Sequence, residues 1–531
     1  VDEGGNYYVV GKHHTSFSVD GYYVNKTTSS GSDVFLLKFY SNGTLAWGTG
    51  GSTNGNCWGA GVALGPNGTV YISGLVDGNT ISFGDKSVSG VGMFVAKFSS
   101  IGEPIWAEFG DTGCSSCGGL DIVVDSTGNA YISGMNSFDE GFLAKIDPSG
   151  SWIGGNTLTP EGFGGTGQDS ITGLTIDDNG SIYAAMTNFS TGSGSVVTVM
   201  KFNSSNLLTP IWSKNLASGD HTVTTVCGGS PNGCKYGGGI EIDSNGDIVI
   251  IGNSRSAATG SLYHAYVAKL DSNGSTLWKT KLPFLAVNGN YNSYASGLAI
   301  DKSDNLYVSG FVINGRLSGS VSGGQYDVFQ AKYSSTGNYI NGFSYGTSEG
   351  ELLYDSAIKP NGELVVTGLI KIGTYGSTTI PDLGSGQGDK LFIADFQTDY
   401  DGDGIGNRED NDVDGDGVGN SVDTCEYSQI YYISSAGTDH DSDGCKDDAE
   451  DDDDDNDGLL DSVDSCPNGI VAWIQNNQTD KDGDGCQDIS EDFDDDNDGY
   501  LDQEDQCPNT FGNSTVTGDA GCVDSDGDGR S

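Results

Sequence analysis

The chain has 531 residues, with 74 Asp or Glu against 23 Lys or Arg and a formal net charge of −51. So acidic a balance repels a phosphate backbone and attracts cations, which excludes nucleic acid as a partner. No run of 18 apolar residues and no helical periodicity occurs, which excludes a membrane-spanning helix and points to an all-β chain.

Residues 1–398 are rich in Gly, Ser, Thr and Asn and carry one phrase seven times. It reads GNYYVVG (5–11), GTVYISG (68–74), GNAYISG (128–134), GSIYAAM (180–186), GDIVIIG (246–252), DNLYVSG (304–310) and GELVVTG (362–368). A second phrase follows each: DVFLLKF (33–39), MFVAKF (93–98), GFLAKI (141–146), VTVMKF (197–202), AYVAKL (265–270), VFQAKY (328–333) and LFIADF (391–396). Six second phrases lead into a turn and another strand, often with a tryptophan (Trp47, Trp106, Trp152, Trp212, Trp278). Six first phrases follow an apolar strand such as DIVVD (121–125) or GLAID (297–301).

Each unit of ~60 residues is thus four short strands joined by Asn-Gly, Asp-Gly or Ser-Gly turns. Repeated seven times, this predicts a seven-bladed β-propeller of four-stranded blades, which hides its sheet edges by radial repetition. The phrases resemble the seven-bladed propeller repeats of secreted prokaryotic proteins over the whole of 1–398. A lysine recurs in the third strand (Lys38, Lys97, Lys145, Lys201, Lys269, Lys332), with Asp395 in the seventh. Its fixed place reads as packing between blades rather than a functional ring of charge, and the tryptophans read as blade-to-blade core. Cys114 with Cys117, and Cys227 with Cys234, read as structural bridges in loops entering inner strands, with Cys57 at the matching place in the second blade.

The first and last units are incomplete. The first has its second, third and fourth strands (6–11, 33–39, 44–48) but only Val1-Asp2 of its inner strand, in line with Val124-Asp125. The seventh has its first three (352–359, 363–369, 389–396) before the chain reaches Asp399. The two missing strands are consecutive in the repeat, so one segment of ~25 residues supplies both. Its source is either sequence ahead of Val1 or a neighbouring molecule, and head-to-tail strand addition of the second kind builds filaments.

Residues 399–531 hold 41 of the 74 acidic residues and four of the 23 basic ones. Here the acids keep a register, D-x-D-x-D-G-x-x-[DN]-x-x-[DE], which a solvated acidic tail does not need. In the first loop Asp399, Asp401 and Asp403 stand at positions 1, 3 and 5, Gly404 at 6, the Ile405 carbonyl at 7, Asn407 at 9 and Asp410 at 12. Four more loops comprise Asp412, Asp414, Asp416, Asn420 and Asp423; Asp439, Asp441, Asp443, Asp447 and Glu450; Asp453, Asp455, Asp457, Asp461 and Asp464; and Asp480, Asp482, Asp484, Asp488 and Glu491. A sixth holds Asp494, Asp496, Asp498, Asp502 and Asp505, and a seventh begins with Asp524, Asp526 and Asp528. Oxygen ligands at this spacing, with a glycine for the sharp turn, are the donor set of a calcium loop. The clusters offer no His or thiolate at ligand spacing for zinc or copper, and magnesium competes weakly. Two carboxylates ~5 Å apart in water repel by ~0.8 kcal/mol, so each loop calls for a cation. The expectation is six or more Ca²⁺.

Cys425, Cys466 and Cys507 each follow a loop, and Cys445, Cys486 and Cys522 come 20, 20 and 15 residues later, so the natural pairing closes one spacer each time. Aspartate loops joined to D-x-C-P closely resemble the thrombospondin type 3 repeat over all of 399–531. The resemblance implies polypeptide wrapped around a wire of calcium ions, with little regular secondary structure.

No catalytic constellation stands out. Gly346-Thr-Ser348-Glu-Gly350 matches a nucleophile-elbow pattern but lies in an all-β repeat, and His13, His14, His221, His264 and His440 form no metal spacing. Eleven cysteines without a zinc arrangement indicate an oxidising exterior. Sequons at Asn25, Asn42, Asn67, Asn179, Asn188, Asn203, Asn273, Asn477 and Asn513 would be open to N-glycosylation there. The expectation is a secreted, non-enzymatic, calcium-stabilised structural or adhesive surface protein. Its propeller meets other copies of itself or cell-surface proteins and glycans, and its calcium repeats form a spacer. The alternative is a carbohydrate-binding or carbohydrate-active propeller on a calcium stalk.

Overall fold

The computed structural model describes residues 1–27, 31–77, 80–110, 119–135, 141–153, 170–190, 194–207, 209–216, 221–224, 239–256, 262–286, 290–317, 326–346, 351–370, 373–375, 378–380, 390–396, 410–426, 428, 432–471 and 473–527. The chain divides into two compact units, Val1–Phe396 and Gln397–Ser531.

Alternating apolar residues and glycine turns give the first unit antiparallel sheets throughout, arranged as the expected seven-bladed propeller on a four-strand plan. Blade 3 shows that plan, running outward through Gly119–Val124, Ala130–Met135, Gly141–Ile146 and Trp152–Ile153. Blades 2 to 6 each carry all four strands. Blade 1 offers Tyr7–His13, Asp33–Phe39 and Leu45–Thr53, and blade 7 offers Leu352–Ile358, Leu364–Ile370 and Lys390–Phe396. Among the described residues, therefore, no strand stands in the innermost lane of blade 1 or the outermost lane of blade 7.

The core lies between blades. Tyr71, Met93 and Val95 of blade 2 pack on Ile122, Ile132, Phe142 and Ile146 of blade 3, and equivalent clusters fill the other seams. The recurring lysines belong to these seams. Lys38, Lys97, Lys145 and Lys201 lie 4.7–4.9 Å from the ring centres of Tyr8, Tyr71, Tyr131 and Tyr183, the tyrosines beside them in register. From there Lys97 Nζ donates to the Pro148 carbonyl of the next blade at 3.2 Å, and Lys145 Nζ to that of Ser204 at 3.1 Å. The outer-strand tryptophans do the same: Trp106 Nε1 meets the Pro148 carbonyl at 3.0 Å and Trp47 Nε1 meets that of Ser100 at 3.1 Å. Cys57 is a buried free thiol.

Inner strands approach one another through an irregularity shared by five blades, falling between Gly59 and Gly61, Gly119 and Asp121, Ile171 and Gly173, Ala295 and Gly297, and Leu353 and Asp355. A Cβ on Gly297 would come within 2.7 Å of the Ser356 nitrogen in the next blade, so glycine permits the close approach.

The second unit has no helix or strand among its described residues. Its buried apolar side chains are Val413 and Tyr432, together with Cys445, Cys486 and Cys522. Disulfides join Cys425 to Cys445, Cys466 to Cys486 and Cys507 to Cys522, the three pairs expected from sequence.

Candidate metal centres and the propeller axis

Each described aspartate loop is wound the same way. The position-6 glycines, Gly417, Gly444, Gly458, Gly485 and Gly499, have φ of 93–102°, a conformation that favours glycine. That turn points the glycine N–H at the position-1 carboxylate: Gly417 to Asp412, Gly458 to Asp453 and Gly499 to Asp494, at 3.0–3.2 Å. The next N–H reaches position 5, as Val418 to Asp416 and Leu459 to Asp457, both at 2.7 Å. Position 9 ties the loop shut, since Asp461 accepts from the Asp454 nitrogen and Asp502 from that of Asp495 at 3.0 Å. These bonds hold one oxygen of each carboxylate and leave others to converge.

Converge they do. Asp412, Asp414 and Asp416 each bring a carboxylate oxygen within 4.8 Å of the others, as do Asp439, Asp441 and Asp443, then Asp453, Asp455 and Asp457, and then Asp480, Asp482 and Asp484. Position 12 adds a further oxygen in three loops: Asp423, Asp464 and Asp505 each accept a following N–H with Oδ1 and keep Oδ2 buried without a hydrogen bond. A buried, unpartnered carboxylate oxygen is costly unless a cation faces it. Burial, seconded by neighbouring carboxylates, pushes Asp416 and Asp464 up to about 6 and Asp423 up to about 7, against the pull of their N–H donors. A divalent cation would reverse that shift.

The loops beginning at Asp439 and Asp480 depart from this arrangement. Glu450, at position 12, is exposed. One residue on, Asp451 accepts the Asp453 N–H at 3.0 Å and keeps its other oxygen buried and unpartnered. Asp451 converges with Asp447 and with Asp454, a buried residue whose Oδ1 is also unpartnered. Asp492 and Asp495, 41 residues further on, repeat the same buried, unpartnered oxygens. Sequence reading treated every loop as closed on itself and so passed over Asp451, Asp454, Asp492 and Asp495, which sit where one loop meets the next. For Asp451 and Asp454 the signal was the unbroken run Asp451–Asp455. Asp399, Asp401, Asp403, Asn407 and Asp528 lie outside the described residues, as do Cys114, Cys117, Cys227 and Cys234.

The propeller holds a second group of acids. Asp121, Glu241 and Asp355 stand on the innermost strands of blades 3, 5 and 7 and feel one another's charge. Loss of hydration on the innermost strands pushes Asp121 up to about 7 and Glu241 to about 8, and Asp355, whose side chain keeps the most solvent contact of the three, to about 6. Asp121 is held on both sides, by the Ile122 N–H at 2.8 Å and by the Leu174 N–H of the next blade at 2.7 Å. Sequence reading missed all three, although Asp121 and Asp355 replace the glycine that Gly61, Gly173 and Gly297 supply elsewhere.

No family model matches the chain, and no curated protein matches it. Solved structures do. A protein of unknown function from Dyadobacter fermentans is 13% identical, with 64% of this chain and 93% of that chain covered and a TM-score of 0.34. A gluconolactonase from Xanthomonas campestris is 13% identical over 59% of this chain and 83% of its own, with a TM-score of 0.31. An α-L-arabinofuranosidase from Clostridium thermocellum is 11% identical over 55% and 94%, with a TM-score of 0.30. Likeness at this level shows the fold alone and assigns no reaction to this chain.

The expectation of a non-enzymatic protein is withdrawn: proteins with this fold include a gluconolactonase and a family-43 glycoside hydrolase, so the fold excludes no reaction. The physical reason is that a propeller gathers residues far apart in sequence at its axis, as it does Asp121, Glu241 and Asp355, where no spacing motif reveals them.

Proposed function

We propose that Gln397–Ser531 is a calcium-ordered module of the thrombospondin type 3 kind, and that the propeller is the interaction head of an extracellular surface protein. One observation carries the first half. Among its described residues this unit buries two apolar side chains besides cysteines, and it also buries carboxylate oxygens that no N–H or O–H satisfies. The described residues thus offer little apolar core to hold the unit, and hard cations supply the missing energy. Calcium suits an all-oxygen set on flexible loops, with six or more ions over the repeats. The three disulfides are compatible with an oxidising exterior, and no helix of the described residues is long and apolar enough to cross a membrane.

The test is a calcium titration followed by calorimetry and hydrodynamic radius. Extracellular calcium modules bind at roughly 10⁻⁴–10⁻³ M per site, so compaction is expected across that range and expansion on chelation, while the propeller keeps its sheet signal. A radius indifferent to calcium would remove this reading. For the head, partners are other copies of the chain or cell-surface proteins and glycans, and microscopy of the calcium-loaded protein separates single particles from polymers. A second reading, carbohydrate binding or cleavage at the axial mouth, is favoured by Asp121, Glu241 and Asp355. Glycan-array binding abolished by Glu241→Gln would select it.

A further inference from the structure

Blade 5 breaks a pattern that four other blades keep. In blades 1, 3, 4 and 6 the aspartate that opens the turn into the second strand accepts a tyrosine hydroxyl on Oδ2. The pairs are Tyr8 with Asp2, Tyr131 with Asp125, Tyr183 with Asp177 and Tyr307 with Asp301, at 3.0–3.2 Å. The third-strand lysine then lies over the tyrosine ring, 4.7–5.5 Å from its centre. In blades 1 and 4 it stays 3.5 and 3.8 Å from the carboxylate.

In blade 5 the tyrosine is replaced by Val249, in register with Lys269. The residue four places after the aspartate, asparagine in three of those blades, is Asp247. Lys269 Nζ therefore reaches Asp243 Oδ2 directly, and Asp247 Oδ2 lies 3.4 Å from the same nitrogen. Lys269 and Asp243 are each 6% exposed, and Val249 beside them is wholly buried. Asp243 Oδ2 accepts no hydrogen bond of ordinary geometry, while Oδ1 accepts two, from the Asn245 N–H at 3.0 Å and the Asp247 N–H at 2.9 Å. A structural ion pair needs one carboxylate. A condensation uses two, one to be attacked and one to carry the proton.

We propose that Lys269 and Asp243 condense to an amide, an isopeptide bond between the third strand of blade 5 and its turn. Desolvation pulls Lys269 down, but Asp243 and then Asp247 hold it above the ordinary lysine value. The amine is therefore freed by passing a proton to Asp243 Oδ2 within the cluster, not to solvent. The Nζ lone pair attacks Cγ, and the charge that develops on Oδ1 is held by the two N–H groups already aimed at it. Asp247 takes a second proton from Nζ and delivers it to Oδ2. The Cγ–Oδ2 bond breaks and water leaves, with Oδ1 kept as the amide oxygen. One C–N bond forms, one C–O bond breaks and one water is released, so no other reactant is needed. Fixed proximity makes the step unimolecular, and burial shields the product from hydrolysis.

The test is mass spectrometry of the full-length, calcium-loaded chain, produced without N-glycosylation and digested with trypsin after reduction. The proposal expects Lys269 uncut, and residues 236–255 joined to residues 256–279 with one water fewer than the two segments together. Neither segment contains cysteine, so no disulfide can join them. Lys269→Arg keeps the charge and should abolish the joined product. Asp243→Asn should lose ammonia instead of water and give a product of the same mass as the parent's. Asp247→Asn should slow bond formation by about a hundredfold or more, the usual worth of a placed proton-transfer group. Separate segments of full mass, cut at Lys269, would overturn the proposal and leave an ion pair only. So would a water loss that survives Lys269→Arg. Equal rates in the parent and Asp247→Asn would overturn the role given to Asp247.

Discussion

Lys359 Nζ donates to the Ser41 carbonyl at 2.8 Å, joining blade 7 to blade 1 across 318 residues of sequence. Lys359 occupies the turn position that an aspartate holds in five other blades, as Asp2, Asp125, Asp177, Asp243 and Asp301. Asp395, in register with Val365, stands where the other six blades carry lysine. Blade 7 has therefore exchanged the two signs. Elsewhere the lysine comes from the third strand, as when Lys269 pairs with Asp243. At the seam the cation is moved to the turn, where it meets Glu363 at 2.8 Å and lies 5.5 Å from the ring centre of Tyr7. The ring is thus fastened at its second and third strands, with Val365 and Ile393 packed on the cluster of Tyr7, Val9 and Phe35.

Lys359→Met is expected to weaken the propeller strongly. It removes the bond to Ser41 and strands the buried Glu363 carboxylate, a loss of about 3–5 kcal/mol for a broken buried pair. Lys97→Met, which deletes a half-buried lysine bonded to one carbonyl, is expected to lose about 1 kcal/mol. Calorimetric melting at fixed calcium ranks the two. Equal melting temperatures would mean that the seam does not depend on Lys359.

Removing one disulfide by Cys466→Ser with Cys486→Ser is expected to destabilise the second unit by about 3 kcal/mol, the chain-entropy value for a loop of this length. The effect should appear as a higher calcium midpoint, because folding and metal binding are one event where the described residues bury so little apolar surface. Non-reducing peptide mapping that finds thiols at these positions in the native protein would remove the premise.

The parts of this fold that were legible in sequence are those specified locally. A strand phrase, a turn glycine or a position-6 glycine acts within a few residues, so seven blades and the wound loops could be read directly. The recurring lysines could be assigned to packing, but the partners of Lys97 and Lys145 could not, since Pro148 and Ser204 lie about fifty residues or more away. Asp121, Glu241 and Asp355 were invisible for the same reason, being brought together only by the ring. Asp451 and Asp454 were lost differently. A loop motif read twelve residues at a time stops at Glu450, yet here the carboxylate that turns inward belongs to the residue after it.

That difference can be measured. Asp451→Asn should weaken calcium binding between the loops, whereas Glu450→Gln, at an exposed position, should leave it nearly unchanged. Loss of one charged ligand is expected to raise the midpoint about tenfold, on the scale of perturbed metal sites. Isothermal titration of both variants decides it, and an equal loss in the two would restore position 12 as the ligand.

The acids of the innermost strands set the pH response of the propeller. Asp121, Glu241 and Asp355 hold their protons up to about 7, 8 and 6, above the usual range near 4 for unfolded carboxyls. The folded state therefore binds more protons than the unfolded state between about pH 4 and 8, and stability falls as pH rises through that window. The stabilisation is full below about pH 4 and is lost once all three have ionised. Asp355 is exposed, so its share is the smallest. Measured at saturating calcium, which keeps the second unit from contributing, the propeller should melt lower at pH 8 than at pH 5. Glu241→Gln replaces the group with the largest shift by one that cannot ionise. It should raise the melting temperature at pH 8 by about 2 °C or more and leave pH 5 nearly unchanged. A variant whose difference from the parent is the same at both pH values would show that Glu241 does not titrate in this window.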